Sequence, residues 1–531
     1  MLRSGTDGGL RRAAAAMIAA GAALAASQAA AQTNDALEAA LEAVGGRAAL
    51  AELRVVEIVA EGERYEPLEG VRPGGELSRT STFALVGLVE PAAGRLRLAW
   101  SREAITPLVG KFAYTEIVDG AAGYITDQDG VFPAFKPRAM LPARAAAVRK
   151  EQWLLNPHFL LQAAAANPYL ASDLGAREMD GRGYRVAAVK DPAGTIELLV
   201  DSETGVLARA ETVEADPLLG DVRIGASFDD WRAVGGSGLH YPFAVSLSLD
   251  GGAIHAERRS SVRLAAAPGA ADFALPEGER TADDAADRRR GEQGSQWFRR
   301  FGAIGVPLDW VQANVEAAEL APGVVHLTGG THHSLAIALE DRIVLVEPPL
   351  YEARSEAVIA KVAELWPDKP IRTVVATHHH FDHIGGVRRF AAAGAEVVIG
   401  AAGEPFLHEV LARPHTVVPD ALAQDPQEVT VRAVGDAPLQ VGDSTRAVLV
   451  VPIPARHAAD MVAVYLPAEK LLFNSDMYTP GRPGPLNPLA QRNAEDLKQA
   501  IADHGLAVEA IVGGHGVGTA TFADYLAHIG G

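Results

Sequence analysis

Two patterns of apolar and polar positions divide the chain. Between residues 54 and about 275, short segments alternate apolar with polar side chains, as at residues 54–60, 95–100 and 195–200. A period of two predicts strands with one buried face. Turns rich in Gly, Pro and Asp separate them, for example at residues 191–194 and 201–205. Ahead of this series, residues 34–53 place Leu37, Leu41, Val44 and Leu50 at helical spacing, broken by Gly45-Gly46. A helical insert is predicted around residues 142–165. The first half therefore reads as a mostly antiparallel β domain with a few helices.

From about residue 321 the pattern changes to alternating strand and helix. Apolar runs at 324–327, 334–339, 342–346, 371–376 and 396–399 predict strands, and 353–365 and 387–393 predict helices. Hairpin-like strands follow at 447–451, 461–465 and 471–473, then a helix at 495–504, a strand at 508–512 and a helix at 522–529. Two mixed sheets with helices on their outer faces are the simplest packing for this order. The charged stretch 277–294 is the best boundary between the halves, and residues 296–317 are expected to form connecting helical structure.

At 531 residues the chain is too long for one ordinary core. The net charge of -19 argues against a nucleic-acid binder, which needs a basic face. With no cysteine, disulfides, thiolate metal sites and a cysteine nucleophile are excluded. The N-terminus reads as an export signal: Arg3, Arg11 and Arg12 precede the apolar run 13–26, and Ala29-Ala30-Ala31 offers a cleavage site. Arg11-Arg12 leaves Sec and twin-arginine export both open. The expected organisation is a signal peptide (1–31), a β-rich domain (32–276), a linker with connecting helices (277–320) and a second domain (321–531), with a periplasmic or secreted location.

The chemistry concentrates at Thr377-His378-His379-His380-Phe381-Asp382-His383-Ile384-Gly385-Gly386, directly after the predicted buried strand 371–376. Imidazole nitrogen and carboxylate oxygen are zinc ligands. Three more candidates stand just past predicted strands: His457, Asp476 and His515. With His378, His380, Asp382 and His383 they make seven donors, a set that suits two divalent metals sharing one carboxylate. In an extended segment alternate residues face the same way. His378 and His380 can therefore face one metal while Asp382 and His383 reach another. His379 points elsewhere and is expected to support the site, and Phe381 to pack beneath it.

This constellation closely resembles the metallo-β-lactamase superfamily of binuclear zinc hydrolases over roughly residues 321–531. The resemblance implies an αββα sandwich for the second half. It implies two Zn2+ per chain, with His378, His380 and His457 on the first, Asp382, His383 and His515 on the second, and Asp476 bridging. Such a pair, about 3.5–4 Å apart, shares a water and lowers its pKa toward neutrality. Asp382 and Asp476 are the catalytic candidates, orienting the resulting hydroxide and helping to move its proton. The implied substrate is a small-molecule ester, lactone, thioester or amide. Residues 377–386 also resemble the corresponding run of glyoxalase II enzymes, but no separate helical substrate domain follows His515. One departure concerns the position after strand 342–346. The family usually places Asp there, whereas this chain has Glu347-Pro348-Pro349.

The first half resembles the curved, open β-barrel of periplasmic lipoprotein-carrier domains. That resemblance implies a concave face able to hold a hydrophobic ligand. A structural domain that packs on the second half or shields its site is the competing expectation. Two other functions stay open at this point: a carrier of lipid or other hydrophobic ligand with a non-catalytic metal site, and phosphodiester chemistry. Tyr478 is either a donor to a developing oxyanion or a buried tyrosine. His332 and His333 are candidates for the rim, and His408, His415, His504 and His528 are expected at the surface.

Overall fold

The structure, a computed structural model, describes residues 34–107, 109–130, 137–191, 194–265, 267–269, 272–275, 296–302 and 313–530. The expected signal peptide and the charged stretch 277–294 lie outside these residues. No helix among the described residues is long and apolar enough to cross a membrane.

The first half is built on one large antiparallel sheet. Its first strand in the chain, Val55–Glu66, pairs with Ser78–Glu90 on one side and Gly252–Ala265 on the other. From there hairpins carry the sheet outward to the short edge strand Arg138–Ala139 and the opposite edge Ala171–Met179. The predicted helices form as Asp35–Ala43 and Gly46–Ala51, separated at Gly45, and as Pro142–Leu155 and His158–Ala166. Asn34 caps the first of these by accepting from the N–H of Leu37 at 2.9 Å. The helices bury Leu37, Leu41, Leu50, Leu154 and Leu161 against one face of the sheet.

The second half holds two mixed sheets. One runs from Glu316–Ala321 to Val431–Val434, antiparallel through its first four strands and parallel beyond. The other runs from Leu439–Gln440 to Thr519–Thr521. Val344, Val346, Val375 and Val398 of the first sheet share a core with Val450, Val464 and Phe473 of the second. The outer face of the first sheet packs on Glu352–Leu365 through Val358 and Val362, and that of the second on Pro488–Asp503 through Leu497 and Ile501. Residues 296–302 are helical, as expected, but the chain is already a strand at Glu316. That strand, Glu-Ala-Ala-Glu-Leu-Ala, is an exposed edge without an apolar run, so its pairing left little trace in the sequence.

The helical turn 296–302 joins the halves. Trp297 and Phe301 pack on Phe381 with ring centroids 4.9 and 5.8 Å away. Arg300 pairs with Glu66 of the strand Val55–Glu66 and with Asp216 at 2.6 Å, and its guanidinium lies over the Phe381 ring. Arg299 bridges Glu151 and Glu214, each at 3.0 Å. Arg300, Glu66 and Asp216 are all buried. Removing one partner of such a network leaves uncompensated charge in a low-dielectric interior, typically at a cost of about 3–5 kcal/mol. Arg300→Ala should therefore lower unfolding stability by about that much in a urea titration. A loss within experimental error would mean that the network carries no stability.

Candidate metal centre

Strand register brings the chemistry to one edge. Val346 and Val375 are partners in a parallel pair, so the residues after them leave the sheet side by side. Glu347 donates its backbone N–H to the Val375 carbonyl at 2.8 Å, and its side chain reaches Thr377 Oγ1 at 2.6 Å. In the other sheet Asn474 pairs with Gly513 in parallel, and Asp476 and His515 each stand two residues further on. His457 follows the strand Leu449–Pro452. Beyond Val375 the chain runs without regular structure to His380 and then turns into the short helix Phe381–Ile384. The Gly385-Gly386 pair is required by packing. A Cβ on Gly385 would lie 1.9 Å from the Leu350 carbonyl oxygen, and one on Gly386 2.2 Å from Ser355 Oγ.

All seven sequence candidates meet here, in two groups. His378, His380, His457 and Asp476 offer ligand atoms within 4.8 Å of one another, and so do His332, Asp382, His383 and His515. Asp476 joins the groups. Its Oδ1 lies 3.1 Å from His383 Nε2 and 3.0 Å from His515 Nε2, while its Oδ2 lies 3.3 Å from His457 Nε2 and 4.0 Å from His378 Nε2.

The surroundings decide which atom each ring presents. His383 Nδ1 is held by Glu347 Oε1, and His515 Nδ1 lies 2.7 Å from the Thr331 carbonyl oxygen. Both rings donate from Nδ1, so Nε2 is the atom turned to Asp476. His380 Nε2 lies 3.1 Å from the Gly70 carbonyl oxygen, which commits that nitrogen to donating and leaves Nδ1 as the lone pair. His378 Nε2, His380 Nδ1 and His457 Nε2 are buried and make no hydrogen bond. Three buried imidazole nitrogens without a hydrogen-bond partner, grouped with a carboxylate, fit a divalent cation.

Charge reinforces the arrangement. Burial, aided by the neighbouring His383, holds His378 well below the usual imidazole range; burial and His457 do the same to His380. Both rings are therefore neutral and able to coordinate. Burial would also depress His383, but Asp476, Asp382 and Glu347 outweigh it and hold that ring well above its ordinary value. Burial would raise Asp382 and Asp476, yet His383 first, with His332 for the one and His515 for the other, holds both carboxyls low and ionised.

Glu347 stands where the resemblance leads one to expect Asp, and its surroundings accommodate the longer side chain. It is fully buried, and its carboxylate is bound by Thr377 Oγ1, by His383 Nδ1 and by Ser475 Oγ at 2.9 Å. Its backbone sits at φ 71, a left-handed conformation costing a non-glycine residue roughly 1–2 kcal/mol. Such strain persists where the surroundings over-determine it, as these bonds do. His379 has both nitrogens engaged, Nδ1 2.7 Å from Asp460 Oδ1 and Nε2 3.0 Å from the Gly70 carbonyl oxygen. The Tyr478 hydroxyl pairs with His528 Nδ1 at 3.1 Å, and the residue is a buried tyrosine.

Two contributions were missed. His332, expected at the rim, is buried inside the second group with Nε2 3.0 Å from Asp382 Oδ2, and burial with the nearby His515 lowers it to about 3. Its neighbour His333 instead bonds the Gly330 carbonyl and packs on His326. His415, expected at the surface, is buried beside Asp420. The second omission is the loop at residues 67–77 of the large sheet. Its Gly70 carbonyl serves both His379 and His380, and its Glu69 Oε2 lies 3.8 Å from His380 Nδ1. Nothing in that Gly- and Pro-rich loop signals a partner some 310 residues away.

Comparison with known proteins agrees with this picture. The family model described as the metallo-beta-lactamase superfamily matches residues 327–515. A search of curated proteins finds no match. Among solved structures, a metallo-beta-lactamase from Pontibacter korlensis is 19% identical, covering 40% of this chain and 96% of that one, with a TM-score of 0.30. The sec-alkylsulfatase Pisa1 from Pseudomonas sp. is 16% identical over 41% of this chain and 40% of that one, with a TM-score of 0.31. The metallo-beta-lactamase FIM-1 from Pseudomonas aeruginosa, solved in a mono-zinc form, is 18% identical over 41% and 93%, with a TM-score of 0.31. The strand-end histidines and aspartates of the C-terminal half thus belong to a domain of the metallo-beta-lactamase superfamily.

Proposed function

We propose that the protein is an exported, binuclear zinc-dependent hydrolase that cleaves an ester, lactone, thioester or amide bond. The observation that carries this reading is the pair of donor groups sharing Asp476, with buried, unpaired imidazole nitrogens facing inward. His378, His380 and His457 would hold one ion and Asp382, His383 and His515 the other, with Asp476 between them. An all-nitrogen-and-oxygen set suits zinc. Bound as a pair, such ions acidify a water and polarise a carbonyl. The layer order helix, sheet, sheet, helix would place this edge at the mouth between the sheets.

The chain's own residues prepare the centre. Glu347 fixes the His383 ring, the Thr331 carbonyl fixes His515 and the Gly70 carbonyl fixes His380. His332 is placed to donate from Nε2 to Asp382 Oδ2 and so to orient that carboxylate. Asp382 and Asp476, held ionised, are the groups placed to accept a proton from the attacking water.

Protein purified after growth with zinc should carry about two metal ions per chain by elemental analysis; well under one per chain would sink the reading. His378→Ala and Asp382→Ala should abolish turnover across a panel of lactones, thioesters, aryl esters and β-lactams, while circular dichroism stays native. Glu347→Gln removes the charge that orients His383, and metal affinity should fall by roughly 10–100-fold in a chelator competition. Unchanged affinity would show that Glu347 does not support the site.

A further inference from the structure

We propose that Glu69, carried by the first hairpin loop of the large N-terminal sheet, is a further ligand of the metal pair, on the side of His378, His380 and His457. The proposal rests on the binuclear reading above and deepens it: the centre built by the C-terminal half is completed by the N-terminal one.

Three observations place Glu69 there. Its side chain is buried, with the residue 7% exposed, and Oε1 has no hydrogen-bond partner. Its Oε2 lies 3.8 Å from His380 Nδ1, the unpaired nitrogen that the Gly70 contact leaves as a lone pair. Among the described residues no lysine or arginine pairs with it: the buried Arg300 is taken up by Glu66 and Asp216. A buried carboxyl with an unpartnered oxygen and no ion pair is unfavourable as an anion until a cation reaches it. Burial, with Asp382, Glu66 and Asp476, holds this carboxyl well above the usual range. A divalent ion on the His380 side would take up the Glu69 carboxylate together with His380 Nδ1, 3.8 Å from it.

The loop is fixed rather than swinging. Gly70 is bonded through its carbonyl to both His379 and His380. The next carbonyl, of Val71, accepts from the backbone N–H of Ala459 at 2.7 Å, two residues past His457. On the other side, the Glu69 N–H donates to the Glu66 carbonyl at 3.3 Å, and Glu66 is anchored by Arg300. Glu69 is thus clamped between the segments that supply two of the three histidines of the group. Carboxylate is a natural donor to such an ion. A third carboxylate beside Asp382 and Asp476 also makes the centre less attractive to acidic substrates and favours uncharged acyl compounds.

The test uses the full chain and its Glu69→Gln variant, which keeps the shape and removes the charge. In the metal-free state Glu69→Gln should melt as wild type does, because there is no ion for the side chain to hold. With zinc the variant should melt lower than wild type. In chelator competition the variant should bind one ion as wild type does and the other roughly 10–100-fold more weakly. Cobalt-loaded variant should show a more intense visible spectrum, as expected when a ligand is lost. If wild type binds fewer than two ions, the binuclear reading itself fails. If wild type binds two, while the variant binds both equally well with an unchanged cobalt spectrum, Glu69 is not a ligand. A variant that melts lower without metal, or fails to fold, would equally overturn the proposal.

Discussion

A buried lone pair must find a proton or a cation, and that constraint organises this protein. Strand ends from two sheets deliver imidazoles and carboxylates to one dry edge. Around that edge, backbone carbonyls and Glu347 take up the outward nitrogens of His380, His383 and His515. Of the groups facing inward, His378 Nε2, His380 Nδ1 and His457 Nε2 make no hydrogen bond. The orientation of each ring is settled before any ligand arrives, so little reorganisation is left for binding.

The same constraint ties the two halves of the chain together. The metal edge is finished by a loop of the N-terminal sheet and braced by the turn 296–302, where Trp297, Arg300 and Phe301 surround Phe381. A separate open cleft of about 510 Å³ lies against the large sheet, lined by charged Arg64, Arg102 and Glu151 beside Trp100, Tyr114 and Phe298. None of the seven donor residues lines it. The N-terminal sheet is therefore both a wall of the metal centre and the host of a second, charged space.

Much of this was legible in the sequence because its signals are local. The run from His378 to His383 announces a site through the spacing of donors after a buried strand, and His457, Asp476 and His515 repeat the placement. Helix breaks at Gly45 and the hairpins of the large sheet follow from turn residues and alternation. What escaped is long-range. His332 joins Asp382 only because one strand packs beside another, and Glu69 and Gly70 reach His380 across the whole fold. Glu347 departs from the Asp that the resemblance implies; a positive φ and three partners accommodate it, and neither is written in its neighbours. The edge strands Glu316–Ala321 and Thr519–Thr521 lack a strong apolar period, and packing decides them.

The central claim is that these donors hold two ions at defined places. Anomalous diffraction at the zinc edge, from crystals grown with zinc, tests it most directly. The account predicts two peaks, one among His378, His380 and His457 and one among Asp382, His383 and His515, with Asp476 between them. A single peak, peaks elsewhere, or none would contradict it.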